Sequence, residues 1–98
     1  MIAREIIPGY VAKFIHGAQT TIAFWDIKKG SPMPLHHHPH EQITYVAEGA
    51  IQMTIGDESF LFTKGMCHVI PSNTPHSAIA VEDCTVIDAF SPARDDYR

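Results

Sequence analysis

Three side chains of this 98-residue sequence have the types and the spacing of a metal site. His36 and His38 are separated by one residue, and Gln42 follows four positions later. Imidazole is a favoured ligand of zinc, copper, iron and nickel, and an amide oxygen can act as a neutral ligand. Side chains two or four positions apart on a β-strand point to the same face. We therefore expect these three to face one cavity, whereas His37 and Glu41 point away from it.

The elements that must position these residues are β-strands. Segments 21–27 and 43–47 alternate with period two and are rich in β-branched and aromatic residues. Glycine and proline interrupt the sequence every eight to twelve residues, and no stretch has a sustained helical period. Regular short strands without helices are typical of a sandwich or a small barrel. Gly56 and Asp57 separate two strand-like runs, so we predict a hairpin over residues 50–63 with a two-residue turn.

Composition limits the class of protein. A chain of 98 residues, 45% of them apolar, is expected to form one globular domain over residues 1–98. Seven Lys and Arg against eleven Asp and Glu give a formal charge of −4, which argues against a nucleic-acid or membrane partner. The amino terminus lacks the order of a signal peptide, so we expect a cytoplasmic protein. In that reducing compartment Cys67 and Cys84 are predicted to be free, buried thiols.

Two motifs resemble those of the cupin family. The order G-x5-H-x-H-x3-Q-x6-G over residues 30–49 resembles the first cupin motif, and G-x5-P-x-N-x2-H, within residues 65–80, resembles the second. The resemblance implies an all-β double-stranded β-helix, a small jelly-roll barrel. The second motif departs at Asn73, which stands for a turn glycine and can adopt the same left-handed backbone. The metal ligands that the resemblance implies are His36, His38, Gln42 and His76.

The departure at Gln42 matters for chemistry, because many cupins have a glutamate there. Three neutral imidazoles and a neutral amide leave a divalent ion its full formal charge. Such a site favours anionic ligands and Lewis-acid chemistry over carboxylate-supported oxidation. The ligand set suits one divalent transition metal ion, and Zn, Ni, Mn, Co and Fe all remain open. The alternative is that residues 36–38 form a polar loop that binds no metal.

A narrower resemblance comes from the run HHHPHEQITYVAEG and the tail DAFSPARDDY. Together they are similar to the cupins of pectin and alginate degradation that linearise unsaturated uronates. In that family the tail supplies an acid, an aromatic and an arginine beside the metal, which here are Asp88, Phe90 and Arg94. Asp88 and Phe90 lie two apart and share a face of a strand.

That resemblance implies a small anionic sugar as substrate and proton transfer without oxidation. Arg94 would bind the substrate carboxylate through its planar fork. Asp88 would move the proton. Phe90 would form an apolar wall that excludes water.

Simpler roles remain open for the same residues. Asp88 could cap a turn or pair with a surface cation, Arg94 could pair with Asp95 or Asp96, and Phe90 could belong only to the core. We expect Tyr45 to face away from the metal. Of the other histidines, His40 is expected in a loop or behind the metal ligands, and His16 and His68 are expected in structural positions.

Two other functions are compatible with the motifs. One is a different metallocupin enzyme, such as a dioxygenase, and the other is a non-catalytic sugar-binding cupin. The exposed edge strands of so small a barrel favour a homodimer.

Overall fold

The computed structural model describes residues 2–98 and contains ten β-strands. They are β1 (Arg4–Ile7), β2 (Tyr10–His16), β3 (Thr21–Ile27), β4 (Pro32–His36), β5 (Glu41–Glu48), β6 (Ala50–Ile55), β7 (Glu58–Thr63), β8 (Cys67–Ile70), β9 (His76–Ala80) and β10 (Cys84–Ser91). One sheet has the order β1-β2-β3-β10-β5-β8 and the other has the order β4-β9-β6-β7. Every pairing is antiparallel. Two such sheets with the chain crossing between them form the predicted jelly roll.

The core lies between the two sheets, as the alternation in sequence requires. In β3 the residues Thr21, Ala23 and Trp25 are buried, and the residues between them are half-buried or exposed. β10 has the same pattern from Cys84 onward. Burial of these inward side chains is the main force that holds the sheets together.

The predicted hairpin over residues 50–63 is confirmed. β6 and β7 pair with Ile55 opposite Glu58, which leaves a two-residue turn. Gly56 in that turn has φ of +62°. A glycine adopts this backbone conformation without a steric penalty. Asn73 is also left-handed, with φ of +61°, as its place in the second motif predicted.

The segment that carries the first histidines differs from the expectation that His36 and His38 share a strand. β4 ends at His36 and β5 begins at Glu41, so His38 lies in the bend between them. Pro39 follows His38 and has no backbone N–H for a ladder. The bend is held to the second motif because the N–H of Asn73 donates to the carbonyl of His38 at 2.8 Å.

The prediction that both cysteines are buried is wrong for one of them. Both are free thiols, but Cys67 is exposed and Cys84 is buried. Cys67 begins β8, which is an edge strand, and it stands opposite Tyr45 on the outer face of the larger sheet. Burial, followed by the charges of Asp83 and Glu82, raises the pKa of the Cys84 thiol to about 11.

Within residues 2–98 there is no helix of the length and apolarity that crossing a membrane requires.

Candidate functional site

Three imidazoles meet inside one end of the barrel. His36 at the end of β4 stands opposite His76 at the start of β9, and His38 reaches them from the bend before β5. One ring nitrogen from each lies within 4.8 Å of the others. The structure therefore brings together the three histidines that the motifs singled out, although only His36 and His76 belong to strands.

Each of these rings is oriented by a backbone carbonyl. The Nδ1 atom lies at hydrogen-bond distance from the carbonyl of a residue two positions away, namely Pro34 for His36 (2.7 Å), His40 for His38 (2.9 Å) and Thr74 for His76 (2.8 Å). A carbonyl only accepts hydrogen bonds, so Nδ1 carries the proton in all three rings. Each Nε2 then has a free lone pair. A metal site uses this arrangement, because the outer hydrogen bond fixes the tautomer and the orientation of the ligand.

The surroundings of His38 and His76 favour the neutral form of both imidazoles. Burial, opposed by the hydrogen bond to the Thr74 carbonyl and aided by the charges of His36, His38 and Arg94, lowers the pKa of His76 to about 4. Burial and the charge of Arg94 also lower the pKa of His38. A neutral imidazole is the form that binds a metal ion. The Nε2 atom of His76 is buried and has no hydrogen-bond partner among residues 2–98, so its lone pair is available to an ion.

Gln42 extends this donor set from β5. Its Oε1 atom lies 3.1 Å from Nε2 of His38, and its Nε2 atom donates to Thr44 at 3.0 Å. Because His38 is protonated at Nδ1, two acceptor atoms face each other at 3.1 Å. Two ligands that are each about 2.1 Å from one ion and at right angles stand about 3 Å apart. The four side chains of His36, His38, His76 and Gln42 thus fit a divalent ion in type, protonation state and spacing.

Asp88 lies beside this cluster and is buried, with 6% of its surface exposed. It stands opposite Thr44 in the pairing of β10 with β5, and the Thr44 hydroxyl donates to its Oδ1 atom at 2.7 Å. Burial raises the pKa of Asp88 to about 6, although nearby donors, Thr44 first, and the charge of Arg94 oppose the rise. The alternatives of a turn cap and of a surface ion pair are wrong for Asp88. A buried carboxyl group that titrates near neutrality suits proton transfer.

Arg94 is buried beside the same cavity. Its side chain is 8% exposed, and its Nε and Nη2 atoms donate to both oxygens of Asp96, at 3.0 and 2.7 Å. The guanidinium lies over the ring of Phe90 at 4.7 Å and over that of Tyr97 at 4.2 Å. The ion pair with Asp96 that the sequence left open is present. It holds Arg94 in place rather than removing it from the site.

The cavity contains every residue that the motifs placed in the site. Its volume is about 50 Å³, and it opens to solvent at its mouth. Its walls also include residues that sequence reasoning missed, among them Tyr10, Trp25, Thr44 and Tyr97. The indole N–H of Trp25 is buried and is one of the donors near Asp88 that oppose the rise in the pKa of that carboxyl group. Strand parity could have found Thr44, because it lies two positions from Gln42. Tyr97 follows the last strand, in a 3-10 helix over Asp95–Tyr97, where no parity applies.

The residues expected outside the site lie outside it. His37 and Glu41 are exposed, and Tyr45 is 42% exposed on the outer face. His40 lies in the bend, where its carbonyl orients His38. The remaining histidines occupy structural positions: His16 bonds the hydroxyl of Thr21, and His68 packs against Phe60 and Phe62.

Comparisons with known proteins agree with this architecture. The family model described as "Cupin domain" matches residues 23–90. The pectin degradation protein KdgF of Dickeya dadantii (strain 3937) is 35% identical over 65 residues, which are 65% of this chain and 59% of that protein. The chain thus spans less than two thirds of the length of that relative.

Two solved structures superpose on nearly the whole chain. KdgF from a Halomonas species has 33% sequence identity and a TM-score of 0.94, with 100% of this chain and 92% of that chain covered. An RmlC-like cupin from Shewanella frigidimarina has 26% identity and the same TM-score, with 99% and 88% covered. The two sheets, the two motifs and the match over residues 23–90 lead to one conclusion: this chain belongs to the cupin domain family.

Proposed function

We propose that this cupin is a metal-dependent enzyme that opens 4,5-unsaturated uronate monosaccharides, from pectin or alginate breakdown, to their linear keto form. The observation that carries the proposal is the shared cavity, which joins a cluster of neutral imidazoles to a buried acid, Asp88, and a buried cation, Arg94. A relative whose name places it in pectin degradation supports the substrate class.

The proposed metal ligands are His36, His38, Gln42 and His76. All four are neutral, so they would hold a divalent transition metal ion, one of Zn, Ni, Mn, Co or Fe, without cancelling its charge. When bound, the ion would supply Lewis-acid stabilisation of negative charge that develops on a substrate oxygen.

The reaction is an isomerisation, and its atoms balance without an oxidant. The hydroxyl on the anomeric carbon loses its proton, and the bond between that carbon and the ring oxygen breaks to give an aldehyde. The ring oxygen is then part of an enol. That enol becomes a ketone when the neighbouring unsaturated carbon gains a proton. The net change is a proton moved from oxygen to carbon.

Asp88 is the proposed proton carrier. A pKa of about 6 allows the carboxyl group to accept a proton from the anomeric hydroxyl and to return one to carbon near neutral pH. General acid–base catalysis of this kind contributes about 100- to 10,000-fold to a rate. Phe90 lines the cavity beside Asp88 and would form an apolar wall that limits the access of water.

Arg94 is the proposed anchor for the sugar carboxylate. Its bonds to Asp96 use Nε and Nη2, so Nη1 is available to a substrate. The rings of Phe90 and Tyr97 fix the plane of the guanidinium. A charged hydrogen bond in a fixed plane orients the sugar as well as holding it.

The test follows the vinyl proton signal of an unsaturated galacturonate or alginate-derived monomer by NMR, with metal-loaded protein. We expect the wild type to consume the signal faster than the spontaneous rate, and His76→Ala and Asp88→Ala to abolish the acceleration. Oxygen uptake during the reaction would indicate a dioxygenase instead. Binding of the sugar without turnover by the wild type would indicate a sugar-binding cupin. A wild-type rate equal to the spontaneous one would overturn the proposal.

A further inference from the structure

An amide presents two unlike atoms, and only one of them can bind a metal ion. The oxygen of Gln42 has lone pairs for this purpose, whereas its NH₂ group has none to offer. Rotation of the amide by half a turn would place the NH₂ group beside Nε2 of His38, in the position where Oε1 now lies at 3.1 Å. A glutamate would have no such ambiguity, because its two oxygens are equivalent. With glutamine at this position, another group must set the orientation.

The hydroxyl of Thr44 is placed to set it. This hydroxyl has one proton, which it donates to Oδ1 of Asp88 at 2.7 Å. Its oxygen therefore presents a lone pair toward Gln42, 3.0 Å away. Only the NH₂ group of the amide can donate a hydrogen bond to that lone pair. The amide oxygen is then turned toward His38 and the centre of the site.

The surroundings of Thr44 keep this hydroxyl from turning elsewhere. Thr44 is 3% exposed and stands directly opposite Asp88 in the pairing of β5 with β10. Gln42 lies on the same face of β5, two positions along. A β-branched side chain has few rotamers, so burial on a strand leaves the hydroxyl one direction.

We infer that Thr44 is a positioning residue that turns the amide oxygen of Gln42 toward the metal ion. Its hydroxyl donates to Asp88 and therefore can only accept from the NH₂ group of Gln42. This inference rests on the metal site of the proposed function and adds to it a residue that acts through Gln42 rather than as a metal ligand. The order of donors runs from Gln42 to Thr44 to Asp88. Asp88 thus has a second role, as the terminal acceptor of the chain that orients a ligand.

The test measures the affinity of the protein for Co²⁺ by calorimetry and by the visible absorption of the bound ion. Thr44→Val keeps the shape of the side chain and removes the hydroxyl. We expect this variant to bind Co²⁺ about 10- to 100-fold more weakly than the wild type, the range for loss of an outer partner of a ligand, with an altered absorption band. Thr44→Ser keeps the hydroxyl and should bind within a few-fold of the wild type.

Thr85→Val is the matched control. Thr85 also lies on a strand of the larger sheet and donates to a carboxylate, Asp26 at 3.2 Å, but on the outer face. Its substitution should leave the affinity for Co²⁺ unchanged. A double-mutant cycle then shows whether Thr44 acts through Gln42. In a Gln42→Ala background there is no amide to orient, so Thr44→Val should cost no further affinity.

The inference is overturned if Thr44→Val binds Co²⁺ as the wild type does, if Thr44→Ser fails to restore binding, or if the loss is equal in the two backgrounds. Equal weakening by Thr85→Val would assign the effect to general destabilisation and would also overturn it. The proposed function fails separately. If the wild type binds Co²⁺ and the variants behave as expected but no uronate is opened, the positioning role stands and the reaction does not. If the wild type does not bind Co²⁺, both fail together.

Discussion

At the residue scale, the reactive side chains of the site are held in place by contacts with other protein groups. Backbone carbonyls fix the tautomers of the three imidazoles, and Asp96 and two aromatic rings fix the guanidinium of Arg94. Each of these contacts restricts a side chain that would otherwise sample several orientations. Because these side chains are already restricted before a ligand binds, less conformational entropy is lost on binding.

The burial of Asp88 predicts a pH-dependent cost in stability. Its pKa is raised from 3.8 to about 6 in the folded protein, so the folded state binds this proton more tightly than the unfolded state does. The contribution of this group to the free energy of unfolding is therefore greatest below pH 3.8, the pKa of the unfolded state, and falls as the pH rises toward 6. In metal-free protein, Asp88→Asn should raise the melting temperature at neutral pH by on the order of 5 °C. The gain should shrink at about pH 4, where the wild-type carboxyl group is largely protonated.

Thermal melts of both proteins across this pH range check the expectation. Asp26→Asn, an exposed carboxylate on β3, is the control and should change the melting temperature little. An Asp88→Asn protein that melts at or below the wild-type temperature at neutral pH would contradict it.

From the contacts of Arg94 we expect Arg94→Lys to bind the substrate more weakly, although lysine keeps the positive charge. Lysine has the charge but not the planar fork, and it would lose the two-point bond to Asp96 and the stacking on Phe90 and Tyr97. Arg94→Lys should lower kcat/KM for the unsaturated uronate by roughly 10- to 100-fold, with a rise in KM because the sugar carboxylate loses its anchor. We expect kcat to fall as well, because that carboxylate is attached to the carbon that becomes the ketone. Steady-state kinetics measure the split. Arg98→Lys, at an exposed arginine that pairs with Asp95, should leave both constants unchanged. A loss confined to kcat would argue against an anchoring role for Arg94.

At the scale of the elements, the connections between strands position the site as much as the strands do. Gly49 joins β5 of the larger sheet to β6 of the smaller one and has φ of +82°. A Cβ atom there would meet the carbonyl oxygen of Asp83 and would lie 2.7 Å from the Cβ of Cys84. The first motif therefore ends on a glycine for two reasons, the backbone conformation and the close approach of the strand that carries Asp88.

Alanine substitutions separate these two reasons. Gly30 has nearly the same backbone, with φ of +83°, but open space where its Cβ atom would be. Gly30→Ala should cost only the left-handed conformation, about 1 kcal/mol. Gly49→Ala adds a steric conflict with backbone atoms and should cost on the order of 3 kcal/mol or more in the free energy of unfolding. Denaturant titrations of the two variants measure the difference, and equal costs would show that the approach to Cys84 is unimportant.

At the scale of the whole molecule, the outer face of the six-stranded sheet is unusually apolar. Ile43, Tyr45 and Val69 are 46%, 42% and 47% exposed, and Ile43 stands directly opposite Val69 in the pairing of β5 with β8. An apolar patch on a sheet that ends in an open edge strand is typical of an interface. We expect a second copy of this chain to cover it, because a twofold pair of identical patches is the commonest closed assembly.

Light scattering after size-exclusion chromatography tests this expectation over a range of protein concentrations. The wild type should elute with the mass of two chains. Ile43→Lys should shift it to one, because it places a charge in the apolar patch. Leu61→Lys is the control, since Leu61 is equally exposed, at 50%, on the smaller sheet. A wild type that remains a single chain at high concentration would refute the dimer.

The sequence by itself determined the all-β class and the hairpin, and its resemblance to the cupin motifs identified seven of the residues that line the cavity, namely His36, His38, Gln42, His76, Asp88, Phe90 and Arg94. Alternation of apolar residues, glycines at turns and the spacing of the histidines are local properties, and they can be read along the chain. Parity also placed Gln42 correctly, but for an incomplete reason: it treated residues 36–42 as one strand, whereas His38 lies in a bend held by Asn73.

Only the tertiary structure decided how these residues act together. The donor order from Gln42 through Thr44 to Asp88 depends on which strand pairs with β5, and the pKa of Asp88 depends on burial between two sheets. The partner of Arg94 and the exposure of Cys67 depend in the same way on where a helical turn and an edge strand come to lie. Hydrogen-bond direction, burial and charge are properties of neighbours in space. Residues 44 positions apart, such as Thr44 and Asp88, become neighbours only when the sheets form.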